Sequence, residues 1–363
     1  MDPAAFDQTE FILNAFAGSN YVIMRYVGRE TVPTAPIISP TNNGGATHVA
    51  WPSAFRFQGN TLIFASRYIN NRWNDVSLWI SADGTNFALQ SITFQANASE
   101  PYGIGPAQVF FDKTAASPWG IVYSVRNAAG SADAIHFADS QDGVTWVRRG
   151  PILTITEPFE SAGVCPSWIM QTASGHWALF YHAYGSGGAY ASAAVAVSTS
   201  RSGPFTSKAV IYSPNNALYT VTNGARLTNY ASVSGSVAVG EPHLIRRLSG
   251  GLQITVPTRQ VGSIVYFDEP LLADYASGPS QLSHMFSRKV DPSYAYEMPD
   301  GSWRGIFTGY GQWSDVTTEY TVHMTAPTIT GPWTVVPGKV AFNPWNSSTW
   351  QSAENPAPVV NLD

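Results

Sequence analysis

One phrase recurs along this chain: a residue before proline opens a short apolar strand, a turn with Gly or Asp follows, and an aromatic-rich strand returns. It starts at Trp51-Pro52, Gly105-Pro106, Cys165-Pro166, Glu241-Pro242 and Asp291-Pro292, with successive prolines 54, 60, 76 and 50 residues apart. A unit of about four short strands cannot bury its apolar face alone, so copies at this period must stack on one another. The expected fold class is therefore all-β, a β-propeller of four-stranded blades. Proline suits the start of a strand, where its missing N–H does little harm.

The units also end alike. Polar turns run from Ser81 to Phe87, Ser140 to Trp146, Ser202 to Phe205 and Thr330 to Trp333, with Asp-Gly or Gly-Pro supplying the turn and an aromatic placed to pack between neighbouring sheets. A further copy is split between the two ends of the chain. Glu354 to Asp363 reads as a first strand with nothing after it, residues 20–27 as its second strand and residues 35–40 as an outer one. Pairing them would remove two exposed sheet edges. The expected count is six blades, one of them a composite of the N- and C-termini, with five blades as the alternative. Residues 1–19 read as an N-terminal extension and 20–363 as the propeller domain. Residues 217–240 read as an extra hairpin after the third complete blade.

Composition narrows the function. A net charge of −5 without any run of Lys or Arg lacks the basic footprint of a nucleic-acid binder. No apolar stretch is long enough to span a membrane, and the N-terminus does not read as a signal peptide. A single Cys165 excludes an internal disulfide. Only 12% of residues are charged while Gly, Pro, Trp and Tyr are plentiful, the profile of a turn-rich β protein with aromatic surfaces, and few lysines with abundant Asn, Ser and Thr suit an extracellular or virion-associated protein. No cofactor is implied, and no spacing among the seven His suggests a metal site. Phe11, Ile12, Leu13 and Phe16 form an apolar patch in the extension that suits docking onto a partner.

In a propeller the residues before each Pro converge at one mouth of the axial channel: Trp51, Gly105, Cys165, Glu241, Asp291 and Asn355, with Glu354 one step earlier. The blade phrase, the S-x-D-G-x-x-aromatic turns and the GP-W/F turns resemble the five-bladed propeller glycoside hydrolases, the group of the family 43 arabinanases and xylosidases and the family 32 fructan hydrolases. The resemblance covers about residues 20–363 and implies hydrolysis or binding of a polysaccharide at the axial pocket. Family 43 enzymes carry D-P, D-P and E-G-P on successive inner strands. In the first three blades Trp51, Gly105 and Val164 stand at those positions, whereas Glu241-Pro242, Asp291-Pro292 and Glu354-Asn355-Pro356 match the series displaced around the ring. The resemblance thus implies Glu241 as base, Asp291 as modulator and Glu354 as proton donor.

Glycoside hydrolysis needs one carboxyl to deliver a proton and another kept ionised, and like charges at close range push their pKa values apart. The alternative role for carboxylates at blade starts is to accept hydrogen bonds from turn N–H groups. Trp51, Tyr102, Trp168, Tyr294 and Tyr296 lie within a few residues of a blade start and can cover the apolar faces of a sugar. His48 and His243 flank first strands and can hold a substrate hydroxyl. Arg67, Arg126 and Arg259, near second strands, could anchor an acidic sugar. A non-catalytic propeller that binds a glycan or another protein, on a phage or other particle surface, is the competing function.

Overall fold

In a computed structural model of the chain, the described residues are 10–17, 20–27, 35–39, 45–128, 131–185, 191–215, 217–224, 229–248, 251–271, 275–310, 319–342 and 354–363. Among them the strands β1 (Glu10–Ala17) and β2 (Asn20–Val27) are followed by four that form the first complete blade. These are β3 (His48–Phe57), β4 (Asn60–Ile69), β5 (Arg72–Ser81) and β6 (Ala88–Gln95). The second blade is β7 (Ile104–Phe111), β8 (Trp119–Arg126), β9 (Ala132–Ser140) and β10 (Trp146–Thr154). The third is β11 (Gly163–Gln171), β12 (Trp177–Tyr184), β13 (Ala191–Ser198) and β14 (Ser207–Tyr212).

Each blade is an antiparallel meander in chain order, as short connections between consecutive strands dictate. The polar turns that end the third strands are held by their own side chains. Asp83 accepts the backbone N–H groups of Thr85 and Asn86, each at 2.8 Å, and Asp142 does the same for Val144 and Thr145 at 2.8 and 2.7 Å.

The fourth occurrence of the phrase does not build a blade. Residues 218–284 fold into a separate seven-stranded sheet of short strands: β15 (Leu218–Gly224), β16 (Tyr230–Val233), β17 (His243–Arg247), β18 (Gly251–Thr255), β19 (Pro257–Val261), β20 (Ile264–Phe267) and β21 (Gly278–His284). Its order is β18-β17-β21-β15-β16-β20-β19. The β15–β16 hairpin expected after the third blade is present, as part of this sheet. The last complete blade is β22 (Lys289–Glu297), β23 (Trp303–Tyr310), β24 (Glu319–Ala326) and β25 (Thr334–Phe342), and β26 (Glu354–Asn361) ends the chain.

The two ends of the chain do meet. β26 pairs antiparallel with β1, as Phe11 with Pro358, and parallel with β3, as Val359 with Ala54. β1 pairs with β2, and Ile38 bridges to Ile23 outside β2. The strand next to β26 is therefore Glu10–Ala17, where residues 20–27 were expected, and Asn20–Val27 is one place further out. The apolar side chains Phe11, Ile12 and Leu13 explain the difference. They are fully buried in the ring, which takes them away from any docking surface.

The apolar cores fix the number of blades in the ring. Ile12 and Ile23 pack with Ile63 and Trp79 between the composite sheet and the first blade. Phe64 packs with Ile121 between the first and second blades, and Phe137 with Leu179 between the second and third. Phe180 packs with Phe307 between the third and last, and Ile306 with Phe11 and Met24 between the last and the composite. Five cores fill five gaps, and the first strands β3, β7, β11, β22 and β26 neighbour one another in a closed circuit. Five sheets, not six, make the ring among the described residues. The turn aromatics Phe87, Trp146, Phe205 and Trp333 each join one of these cores, the place the turn pattern implied for them. The 218–284 sheet has a core of its own and, among the described residues, sends Leu244, Ile254 and Val256 into the gap between the third and last blades.

Candidate functional site at the axial mouth

Because the first strands share one direction, their starts gather at one end of the axis. Trp51 and Gly105 lie side by side: a Cβ added to Gly105 would stand 3.6 Å from the Trp51 indole and 3.3 Å from Trp73 Cβ. Arg126, at the end of β8, donates from Nε to the Gly105 carbonyl at 2.9 Å. Cys165 follows on β11, buried, with its thiol pushed up by that burial against the opposing pull of the Arg126 and Lys289 charges. It is held as a neutral thiol rather than a nucleophile.

Across the ladder from Cys165 stands His182. Its Nε2 lies 3.0 Å from Oδ1 of Asp291, on the neighbouring first strand. Both side chains are buried and the two atoms touch without completing a hydrogen bond. His182 Nδ1 is 3.3 Å from the Tyr184 hydroxyl, and the Lys289 ammonium lies 5.5 Å from the Tyr184 ring centre. Asp291 thus stands at the start of β22, buried against His182.

Glu241 is elsewhere. It precedes β17 of the separate sheet and accepts from the hydroxyl of Tyr212 on β14, the outermost strand of the third blade. The ladder places Cys165, His182, Ala193 and Tyr212 in one row across that blade, so Tyr212 stands two strand widths, roughly 10 Å, outward from His182. Glu241 and Asp291 have no partner in common. His284 Nε2 is 3.6 Å from Glu241 Oε2. Burial raises the Glu241 pKa, but hydrogen bonds from His284 and Tyr212, with the charges of His284 and His243, outweigh it and the net shift is downward. Glu354 begins β26 with its backbone opposite Asn14; its side chain lies outside the described residues.

The expected ligand-contacting residues separate in the same way. Trp51 is at the mouth with positive φ of 56°, half-buried, its ring 4.2 Å from Trp73. His48 is beside it, half-buried against Tyr21, Tyr68 and Trp73, and burial lowers its pKa. Tyr102 is exposed on the turn that leads into β7. Tyr294 is buried in the core between the last blade and the composite sheet, edge-on to Trp168 at 4.8 Å and to Phe11 at 6.4 Å. It is closed to ligand because alternate residues of β22 face the gap between sheets.

Trp168 belongs to the other end of the axis. There a cavity of about 430 Å³ is lined by the downstream ends of β3, β7, β11 and β26, among them Phe55, Phe111, Trp168 and Leu362. His243 is fully buried next to Glu241, its Nδ1 2.9 Å from the Glu241 carbonyl, its pKa pushed down to about 3 by burial and then by the His284 charge. Of the three arginines, Arg259 covers the Tyr266 ring in the separate sheet, while Arg67 and Arg126 both stand at the rim end of a second strand, Arg67 in a buried pair with Asp75 at 2.7 Å and Arg126 on the Gly105 carbonyl.

His182, Tyr184, Tyr68 and Trp73 also build the mouth, and a search confined to first-strand starts does not find them. The available signal is geometric: a second strand runs antiparallel to the first, so its last residues, and the first of the third strand, return to the same rim. No group of His, Cys, Asp and Glu among the described residues is arranged to hold a metal ion.

No protein-family model matches the chain, and no curated protein matches it. Among solved structures it is similar to an α-L-arabinofuranosidase from Podospora anserina in complex with cellotriose, at 13% identity over 90% of this chain and 82% of that one, with a TM-score of 0.50. It is also similar to an endo-arabinase from Bacteroides thetaiotaomicron, at 9% identity over 80% of each chain with a TM-score of 0.47. An arabinanase from Bacillus subtilis aligns at 13% identity over 78% of this chain and 73% of that one, with a TM-score of 0.43. At such identities the likeness is one of fold, and it is the propeller fold that the blade phrase and its turns imply.

Proposed function

We propose that this chain is a glycan-processing propeller that takes a polysaccharide at the mouth where its first strands begin. The observation that carries this is the convergence of a buried carboxylate, Asp291 beside His182, with the half-exposed rings of Trp51 and Trp73 on one opening of a five-sheet ring. The likeness in fold to a carbohydrate-active propeller supports it as an analogy. Hydrolysis requires two carboxyls, one ionised and one carrying a proton. Asp291 and Glu354 start adjacent first strands, β22 and β26. Asp291 takes the base's role and Glu354 the proton donor's, while Glu241, held by Tyr212 and His284, takes neither.

Release of reducing sugar from a panel of polysaccharides tests the assignment. Asp291→Asn and Glu354→Gln are expected to lower turnover at least about 100-fold, and Glu241→Gln to leave it within a small factor. Equal loss in all three, or loss in Glu241→Gln alone, refutes the assignment.

A non-catalytic glycan-binding propeller, on a particle surface or outside the cell, is the second function, favoured by one observation. Trp51, Gly105 and Cys165 leave three of the five first strands without a carboxylate at the mouth. Binding of oligosaccharides with no turnover on any substrate would select it.

A further inference from the structure

The mouth is chemically divided. Arg126, Cys165, His182, Tyr184, Lys289 and Asp291 gather on the side of the second, third and last blades. On the side of the composite sheet and first blade the ion pair Arg67–Asp75 is fully buried and the partly exposed rim is aromatic. Tyr21 is 5.7 Å from His48, His48 is 5.2 Å from Tyr68, Tyr68 is 5.3 Å from Trp73, and Trp73 is 4.2 Å from Trp51. All five rings are half-buried, so each keeps part of its surface in solvent. Tyr102, 52% exposed, extends the rim toward the second blade; Arg72 pins its turn by donating to the Pro101 carbonyl at 2.7 Å. A contiguous run of partly exposed rings is unusual on a soluble surface unless something covers it, and this one continues into the mouth without a break.

Resting on the function proposed above, we infer that this rim takes the interior of an extended, uncharged polymer of pyranose sugars. Several units lie along Tyr21, His48, Tyr68, Trp73 and Trp51, and one unit projects over the ionisable half. A pyranose with equatorial hydroxyls offers flat C–H faces to aromatic rings and keeps its polar edge outward. The smaller, puckered furanose ring covers less of such a surface. His48, Tyr68 and Trp73 stand within 6.3 Å of one another, with Tyr21 against one corner and Trp51 against another, so the cluster as a whole is wider than one sugar and an oligomer reaches contacts that a single sugar cannot.

An array of immobilised gluco-, manno-, xylo- and galactopyranose oligomers, with arabinofuranose oligomers beside them, each graded from single sugars to long chains, tests this. In wild type, each added pyranose is expected to tighten binding roughly 3–10-fold, the scale of about one ring contact, until the rim is filled. Tyr102→Ala should flatten that dependence by removing one step of it, and Trp73→Ala, at the mouth itself, should flatten it and weaken binding at every length. Tyr102, being exposed, keeps the test valid if Trp73→Ala fails to fold. Affinity independent of length, a preference for furanose oligomers, or unaltered length dependence in Tyr102→Ala and any folded Trp73→Ala would overturn the rim and leave the mouth as a single-sugar site. Failure to bind any oligosaccharide would remove both proposals.

Discussion

Gly105 shows why the mouth has the residues it has. Its φ of +118° is one that side-chain-bearing residues rarely adopt, and a Cβ there would crowd Trp73 Cβ at 3.3 Å and touch the Trp51 indole at 3.6 Å. An Asp there would carry that backbone strain and press its Cβ against Trp73 Cβ at 3.3 Å, so the absent carboxylate on the second blade goes with the Trp73 placement on the first. Trp51 itself has positive φ, an uncommon conformation for a bulky residue, and such strain costs on the order of 1–3 kcal/mol. Gly105→Ala adds strain of the same order at the adjacent blade start. It should lower the melting temperature by several degrees in differential scanning calorimetry, and Gly105→Asp by more. An unchanged melting temperature for the alanine variant would mean that the start of β7 relaxes at no cost.

At the scale of elements, the separate sheet is joined to the third blade through a small group of titrating side chains. His243 and His284 are buried with ring centres 5.1 Å apart, Tyr212 reaches in from β14, and Glu241 binds Tyr212 and faces His284. A buried His with a folded pKa of about 3 against 6.5 in the unfolded chain stabilises the fold fully above about pH 6.5. That contribution is lost as pH falls toward 3, because the unfolded chain then binds the extra proton. Glu241, whose folded pKa is also lowered, acts in the same sense: its contribution is present above its unfolded pKa and is lost in acid. Amide hydrogen exchange at pH 7 and pH 4.5 should therefore show protection falling first in β15–β21 and later in the blades. His243→Phe, which keeps the packing and removes the titration, should narrow that difference; equal loss of protection everywhere would place the acid sensitivity in the ring instead. The same segment shows where sequence stops being informative. Glu241-Pro242 followed by an apolar strand and a returning one repeats the blade phrase locally, and β17 and β18 do form that hairpin. What distinguishes it from a blade is long-range: β17 pairs on its other side with β21 and not with a ring neighbour. Alternation, turns and proline position are local and were legible for the other four complete units. The choice of sheet partner is made by which cores can be filled, and Glu241 went to the wrong place with its strand.

For the whole molecule, the decisive feature is closure by β26. This strand lies between β1 and β3, belongs to the same sheet as both, and buries Pro356, Ala357 and Pro358. It is the first strand of the composite sheet, so the chain's last strand completes an element begun by its first two. Without it β1 and β3 would each present an unpaired edge facing the axis, the arrangement that invites pairing with another chain, and the core between the composite sheet and the first blade would lose Val359. Each side chain of that size buried contributes about 1.5–3 kcal/mol when fully covered, a large fraction of the net stability of a typical domain. A chain ending before Glu354 is therefore expected to run as oligomers in size-exclusion chromatography and to melt well below the full-length protein. The strand should also act in trans, since its contacts are mainly main-chain ladders that an added peptide can make. A synthetic peptide of residues 354–363 should restore monomers and much of the melting temperature, and a scrambled peptide should not. A truncated chain that stays monomeric and melts with the full-length protein would show that the ring holds without its closing strand.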